Sequence, residues 1–195
     1  MTTGALYDSL REICSRRRSV RSFAEQPLSA DEIGRIRDIA VLSPYASGKK
    51  NWELRVLTDR AEILALAEIV RAKCRDVEGQ VREDFRDWFR NYAEHFSLFS
   101  SAPALFVPVF RVQPSLSFMT EGTADAIGRW ERDTFVKSIS CVAMLVLLAA
   151  ESLGLKGCYM TGALVAEPEL AARLGVRNGY EIGAVIPVGH PKGDR

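Results

Sequence analysis

The sequence predicts an α+β fold, a central mixed β-sheet with helices packed around it. Three observations point there. Apolar residues recur at helical spacing in several separate segments, short β-prone segments lie between them, and the most apolar helix, from Phe135 to Leu153, has almost no polar face and so needs enclosure. With 195 residues, 47% of them apolar and 26% charged, the chain has the material for one domain spanning 1–195 with a buried core.

The elements follow in order. Leu6, Leu10, Ile13 and Cys14 lie on one stripe and predict a first helix ending near Arg16. Ser29 and Glu32 form a capping box, in which each side chain covers a free amide, ahead of a helix carrying Ile33, Ile36, Ile39 and Ala40. Ser43–Asn51 is a loop by composition. Trp52, Leu54 and Val56 alternate with Glu53 and Arg55 and predict a strand. Asp59 opens a helix whose inward face holds Ile63, Leu64, Leu66, Ala67 and Val70. After Gly79, the positions Val81, Phe85, Trp88, Phe89, Tyr92 and Phe96 predict a long amphipathic helix whose aromatic stripe serves as core or interface.

Ala104–Phe110 is β-prone, and Pro108 assigns it to an edge or a bulge, since proline has no N–H for a ladder. Residues 111–130 carry few periodic signals and read as an excursion. Within the apolar helix, Cys141–Ala150 should be buried on all sides. Gly157–Met160 predicts a short strand. Pro168 and Gly175 bracket a short helix, and Tyr180–Val188 closes the fold as a β-prone segment.

Charge excludes some functions. Twenty-six basic and 25 acidic residues leave a net charge of +1, so no long-range field draws in nucleic acid or an anionic membrane surface. Any anion must be held by a local cluster. The four cysteines, Cys14, Cys74, Cys141 and Cys158, have no metal-ligand or redox-motif spacing. They predict free thiols, no metal, and a reducing cytoplasmic setting with no leader sequence. The apolar run Cys141–Ala150 is well short of the roughly 20 residues that cross a bilayer.

Three segments carry candidate chemistry. Arg17, Arg18, Ser19 and Arg21 place three guanidinium groups and a hydroxyl close together, and guanidinium forks match phosphate oxygens two at a time. Read alone, the segment is also a solvated turn between helices. The loop from Ser43 to Trp52 offers backbone amides, small residues and Lys49 and Lys50 to the edge of a flat heterocycle; read alone, it is a loop of turn formers. Gly157 to Ala163 follows the apolar helix with small residues that let a planar ligand approach the backbone, or that simply make a turn.

Together the segments resemble the nitroreductase family. The phosphate motif of that family, Arg-x-Ser-x-Arg/Lys after a first helix, is similar to Arg17-Arg18-Ser19-Val20-Arg21. Its Ser-Pro-rich loop ending in Trp is similar to Ser43-Pro44 through Trp52. Its late helix, Gly-Leu-Gly and closing Gly-Tyr/His-Pro are similar to Ser152–Gly157, Gly162, Leu174-Gly175 and Val188-Gly189-His190-Pro191. The resemblance implies a nitroreductase-like fold, an intertwined homodimer and FMN as cofactor. It implies that Arg17, Arg18, Ser19 and Arg21, with Lys192, hold the FMN phosphate and ribityl chain. Gly48, Lys49, Lys50 and Asn51 would lie near the pyrimidine edge, and Thr161 and Gly162 would present amides near the reactive flavin nitrogen. Two departures stand out: the family usually has Asn where Gly48 stands, and Gln-Pro where Lys50-Asn51 stand.

The implied activity is a ping-pong transfer of two electrons from NAD(P)H to a small organic acceptor, nitroaromatic- or quinone-like. The flavin carries this chemistry, so no catalytic side chain is assigned. His95 and His190 read as a satisfied helix residue and a C-terminal turn residue. The alternatives are other chemistry on the same fold (dehalogenation, dehydrogenation or flavin breakdown) and a low-turnover flavin-binding or sensory protein. A helical interaction protein without a cofactor is a third reading.

Overall fold

A computed structural model describes residues 3–48, 50–113, 115–121 and 124–192. The elements are α1 (Thr3–Arg16), α2 (Ala30–Ala40), β1 (Trp52–Leu57), α3 (Arg60–Glu78), α4 (Arg86–Ala93), β2 (Ala104–Arg111), α5 (Ala124–Ser152), β3 (Lys156–Gly157), α6 (Glu167–Arg173), β4 (Tyr180–Ile182) and β5 (Ile186–Gly189). The sheet order is β1-β2-β5-β3, with β4 also on β2. These ladders are all antiparallel, and among the described residues parallel pairing enters through one bridge, between Ser19 and Gly157.

Alternation along β2 divides the core into two layers. Leu105, Val107 and Val109 face α3 and α6, packing with Ile63, Leu66, Val70, Phe99 and Leu170. Ala104, Phe106 and Phe110 face α2 and α5, packing with Ile36, Ala40, Ile139, Val146 and Ile186. The Ser29–Glu32 capping box forms as expected: Glu32 accepts from the Ser29 amide at 2.7 Å, and its own amide donates to Ser29 Oγ at 3.2 Å. Asp59 caps α3 through the Ala61 amide at 2.9 Å.

Several expectations are corrected. β2 is central, not an edge, and Pro108 is accommodated by a break in its neighbour. β5 pairs with Ala104–Phe106 and β4 with Val109–Arg111, so the Pro108 nitrogen falls opposite the gap at residues 183–185. There the Gly183 amide donates to the Pro108 carbonyl at 2.8 Å, and no ladder bond is lost. The aromatic stripe does not lie on one long helix. It is divided among a 3₁₀ turn at Glu83–Phe85, α4 and a second 3₁₀ segment at Glu94–Ser101. Phe85, Trp88 and Tyr92 are exposed, not core. Leu64 and Ile39 are also exposed, each one position off its helix's buried stripe.

The apolar helix begins at Ala124, eleven residues before the sequence suggested. The polar turns ahead of Phe135 hide their period, although Glu131 and Phe135 are buried one turn apart. α5 is long and apolar enough to cross a membrane by length and composition. Its apolar residues are used on the sheet: Phe135, Ile139, Val142 and Val146 lie against β2 and β5. Nor is the Cys141–Ala150 stretch enclosed on all sides within the chain. Cys141 and Met144 are exposed, as are Leu6, Tyr7 and Leu10 on α1, which packs beside α5.

Candidate functional site

The chain leaves α1 with the Arg17 amide bonded to the Ile13 carbonyl at 3.1 Å, then runs alongside the segment after α5. Ser19 bridges Gly157, and the Val20 amide donates to the Gly157 carbonyl at 3.1 Å. Gly157 is needed there, because a β-carbon on it would meet Leu147 and the Pro187 carbonyl at 3.0 Å. This pairing joins the basic segment to the strand that leads into Thr161 and Gly162. Arg21, Thr161 and Gly162 consequently line one open cleft of about 300 Å³, shared with Tyr92, His95, Phe96, Tyr159 and Met160.

The electrostatics favour an anion on this side. Many of the chain's arginines, including Arg16, Arg55, Arg90, Arg132 and Arg173, lie within ion-pair distance of a carboxylate. Among the described residues, Arg17, Arg18 and Arg21 have no carboxylate within 4.0 Å. Adjacent cations without counter-charges suit a ligand that brings two negative charges. Arg18 is partly committed: its Nη1 donates to the Ser15 and Arg17 carbonyls at 2.6 and 2.9 Å, covering the end of α1. The amides of Thr161 and Gly162 stand where a 3₁₀ turn begins and donate to no described backbone group. The donor set thus matches an elongated ligand with a phosphate at one end and hydrogen-bonding atoms at the other.

Lys192 is not brought to this cleft. Phe23 bridges Pro191, and Lys192 lines a separate cleft of about 740 Å³ with Phe23, Glu25, Arg60 and Ser101. The loop residues also lie elsewhere. The Ala46 amide donates to Ser138 Oγ on α5 at 3.1 Å, whereas the Tyr159 hydroxyl lies 3.3 Å from Ser140 Oγ. Residues two apart on a helix point about 200° apart. The loop and the Arg21–Gly162 cleft therefore sit on opposite sides of α5 within one chain.

Gly48 has φ of +65°, in the left-handed region that glycine and asparagine tolerate. An Asn at this position could keep the same backbone conformation and would add a side-chain amide that Gly48 lacks. Lys50 turns back to α2, its Nζ donating to the Val41 carbonyl at 2.8 Å, and Asn51 Nδ2 donates to Gln113 Oε1 at 2.6 Å. Lys49 lies outside the described residues. Tyr45 in the same loop packs against Trp52 and Phe135, with ring centroids 6.3 and 6.1 Å away, and burial pushes its hydroxyl up to about 12.

Beside Asn51 runs the segment that the sequence left unassigned. Glu131 fixes it. The buried carboxylate accepts from the Ser115, Leu116 and Ser117 amides at 2.8, 2.7 and 3.2 Å and from the Ser115 and Ser117 hydroxyls at 2.9 and 2.6 Å. These donors hold its carboxyl down at about 2, the Ser117 hydroxyl contributing most. The clamp leaves Leu116, Phe118 and Met119 exposed, Phe118 by 88%.

Of the remaining cleft residues, Tyr92 and Phe96 belong to the aromatic stripe and Tyr159 and Met160 to the Gly157–Ala163 segment, none of them assigned individually from sequence, and His95 reads from sequence as a satisfied helix residue. The signal was present in the aromatic spacing. Trp88, Tyr92 and Phe96 follow one another at four-residue intervals and form a ladder, with ring centroids 5.2 and 5.0 Å apart, that ends on Gly162.

A family model described as "Nitroreductase family" matches residues 14–190. A BluB-like flavoprotein from Clostridium difficile 630 superposes with a TM-score of 0.84 at 23% identity, covering 95% of this chain and 91% of that one. A nitroreductase with bound FMN from Desulfitobacterium hafniense gives 0.74 at 18% identity, over 96% and 91%. An FMN-dependent nitroreductase from Clostridium difficile R20291 gives 0.66 at 19%, over 94% and 88%. Among curated proteins no sequence match is found.

Proposed function

The chain belongs to the nitroreductase family, and from that premise we propose that it is an FMN-dependent oxidoreductase carrying two electrons from NAD(P)H to a small nitroaromatic- or quinone-like acceptor. The observation that carries this reading is the set of guanidinium groups at Arg17, Arg18 and Arg21, without described counter-charges, joined through the Ser19–Gly157 bridge to the free amides of Thr161 and Gly162.

Bound FMN supplies reversible two-electron chemistry that no side chain here can perform. Arg17, Ser19 and Arg21 hold the phosphate and fix the position of the ligand along the cleft. Thr161 and Gly162 offer amides to its polar edge. The loop that bonds Ser138 through the Ala46 amide faces the other side of α5, so a single ligand touching both sets requires two copies of the chain. The exposed apolar residues Leu6, Tyr7, Leu10, Trp130 and Met144 supply a surface for that pairing. The working unit is a homodimer with each site built from both protomers, which would hold FMN and admit reductant and acceptor to it. The balanced charge and free thiols suit the cytoplasm.

A low-turnover flavin-binding role is a second reading. It is favoured by Gly48, which offers no side-chain amide to the ring, and by Lys50, whose ammonium is occupied by the Val41 carbonyl.

The test compares FMN with riboflavin, which lacks the phosphate. Arg17→Ala with Arg21→Ala should weaken FMN binding by several kcal/mol, at roughly 1.5–3 kcal/mol per charge-assisted bond, and leave riboflavin binding unchanged. Equal FMN affinity in the variant and the wild type would remove the phosphate assignment.

A further inference from the structure

His95 stands on the wall of the cleft that contains Arg21, Thr161 and Gly162. Its Nδ1 lies 3.2 Å from the Asn91 carbonyl. A carbonyl only accepts, so Nδ1 carries a hydrogen, and Nε2 is the nitrogen that gains and loses the second proton. The ring is therefore fixed by its own helical segment, with its exchangeable position free. The side chain is exposed and can be reprotonated from solvent.

The other charges around it are few. Arg21 reaches the same cleft from the N-terminal segment, Tyr92 lies on the adjoining α4, and Tyr159 comes from the strand side with its hydroxyl beside Ser140. The turn that starts at Gly162 contributes no charged group. On the far side of the Glu94–Ser101 segment, Glu94 and Leu98 line a different cleft with Arg71, Arg75, Glu78 and Arg90, so the charges of α3 belong to that cleft.

Reduction of a quinone-type acceptor needs a hydride equivalent and a proton. The reduced cofactor can give the hydride; among the described lining residues, His95 carries the side-chain type suited to exchanging a proton with solvent. We propose that His95 is the proton donor to the acceptor reduced in this cleft, an assignment that rests on the flavin reading above. The acceptor takes a hydride and becomes the hydroquinone monoanion as the cofactor is oxidised. The Nε2–H of the His95 imidazolium then passes its proton to the anionic oxygen. Neutral imidazole remains and recovers a proton from water, so charge and electrons balance.

The experiment uses the FMN-loaded protein, reduced with dithionite without oxygen and mixed with duroquinone. This fully methylated benzoquinone cannot add to the exposed thiols of Cys14 and Cys141. In wild type, reoxidation should slow as pH rises, because the imidazolium that donates the proton is depleted. In His95→Gln it should be about 100-fold slower at the acid end and nearly independent of pH. FMN affinity should stay within about twofold, because Arg17, Ser19 and Arg21 are untouched. A second readout needs no turnover: the chain has two histidines, so FMN titration should move the imidazole signal of His95 and not that of His190. Normal FMN binding with an unchanged pH profile in His95→Gln, or a His95 signal indifferent to FMN, overturns this assignment alone. Failure of the wild type to bind FMN overturns the flavin reading and this assignment with it.

Discussion

The ring of Phe96 lies so close to the backbone of Gly162 that a β-carbon on the glycine would stand 2.3 Å from Cδ1 and 2.7 Å from Cε1. The contact joins the end of the aromatic ladder to the turn that offers its amides to the cleft. Cγ, which lies on the rotation axis of the ring, would itself stand 2.9 Å away, so turning the ring does not relieve the clash. Gly162→Ala should destabilise the protein by about 1–3 kcal/mol through overpacking. In a Phe96→Ala background the same change should cost less than about 0.5 kcal/mol, since the clashing ring is gone. Urea unfolding of the four variants measures both numbers; an equal cost in the two backgrounds would show that the contact is not what excludes a side chain.

Glu131 predicts a pH response in the opposite region of the fold. Its carboxyl is held at about 2, below the ordinary 4.5, by hydroxyls and amides of Ser115, Leu116 and Ser117. A depressed folded-state value means that the stabilisation is complete above about pH 4.5 and is lost as pH falls towards 2. Protection of the Ser115–Ser117 amides against hydrogen exchange, normalised for intrinsic rates, should drop across that window. Glu131→Gln should abolish the protection at neutral pH, because a carboxamide replaces one accepting oxygen with a donor aimed at other donors. Retained protection in that variant would show that the segment is held by something else.

The exposed stripe on α1 and α5 predicts assembly. Wild-type protein at micromolar concentration should sediment as a dimer. Leu10→Arg with Met144→Arg should give a folded monomer with weakened FMN binding, as the proposed site shared between two protomers requires. A monomeric wild type that binds FMN tightly would contradict the shared site.

What the sequence made legible was mostly local. The Ser29–Glu32 box, the Asp59 cap and the end of α1 depend on neighbours within four residues, and each appears where the pattern put it. What it hid depends on distant partners. Pro108 reads as an edge residue until the break between β4 and β5, more than seventy residues later, is seen to receive its missing donor. Glu131 carries no signal in the sequence, and its role shows only where residues 115–117 fold back onto it. In the candidate site, Arg21, Thr161 and Gly162 were named from sequence and meet in one cleft, while Lys192 was named and lies in another. His95 reads from sequence as a satisfied helix residue, because no periodic signal marks a single cleft-facing histidine.

The most direct measurement is an absorbance spectrum of the FMN-incubated, desalted protein, before and after adding NADH or NADPH without oxygen. The account predicts flavin bands that remain with the protein and bleach with at least one nicotinamide, then return when a quinone is added. A desalted protein with no flavin bands would contradict the account at its centre; bound flavin that neither nicotinamide bleaches would leave the cofactor site standing and replace the oxidoreductase with a flavin-binding protein.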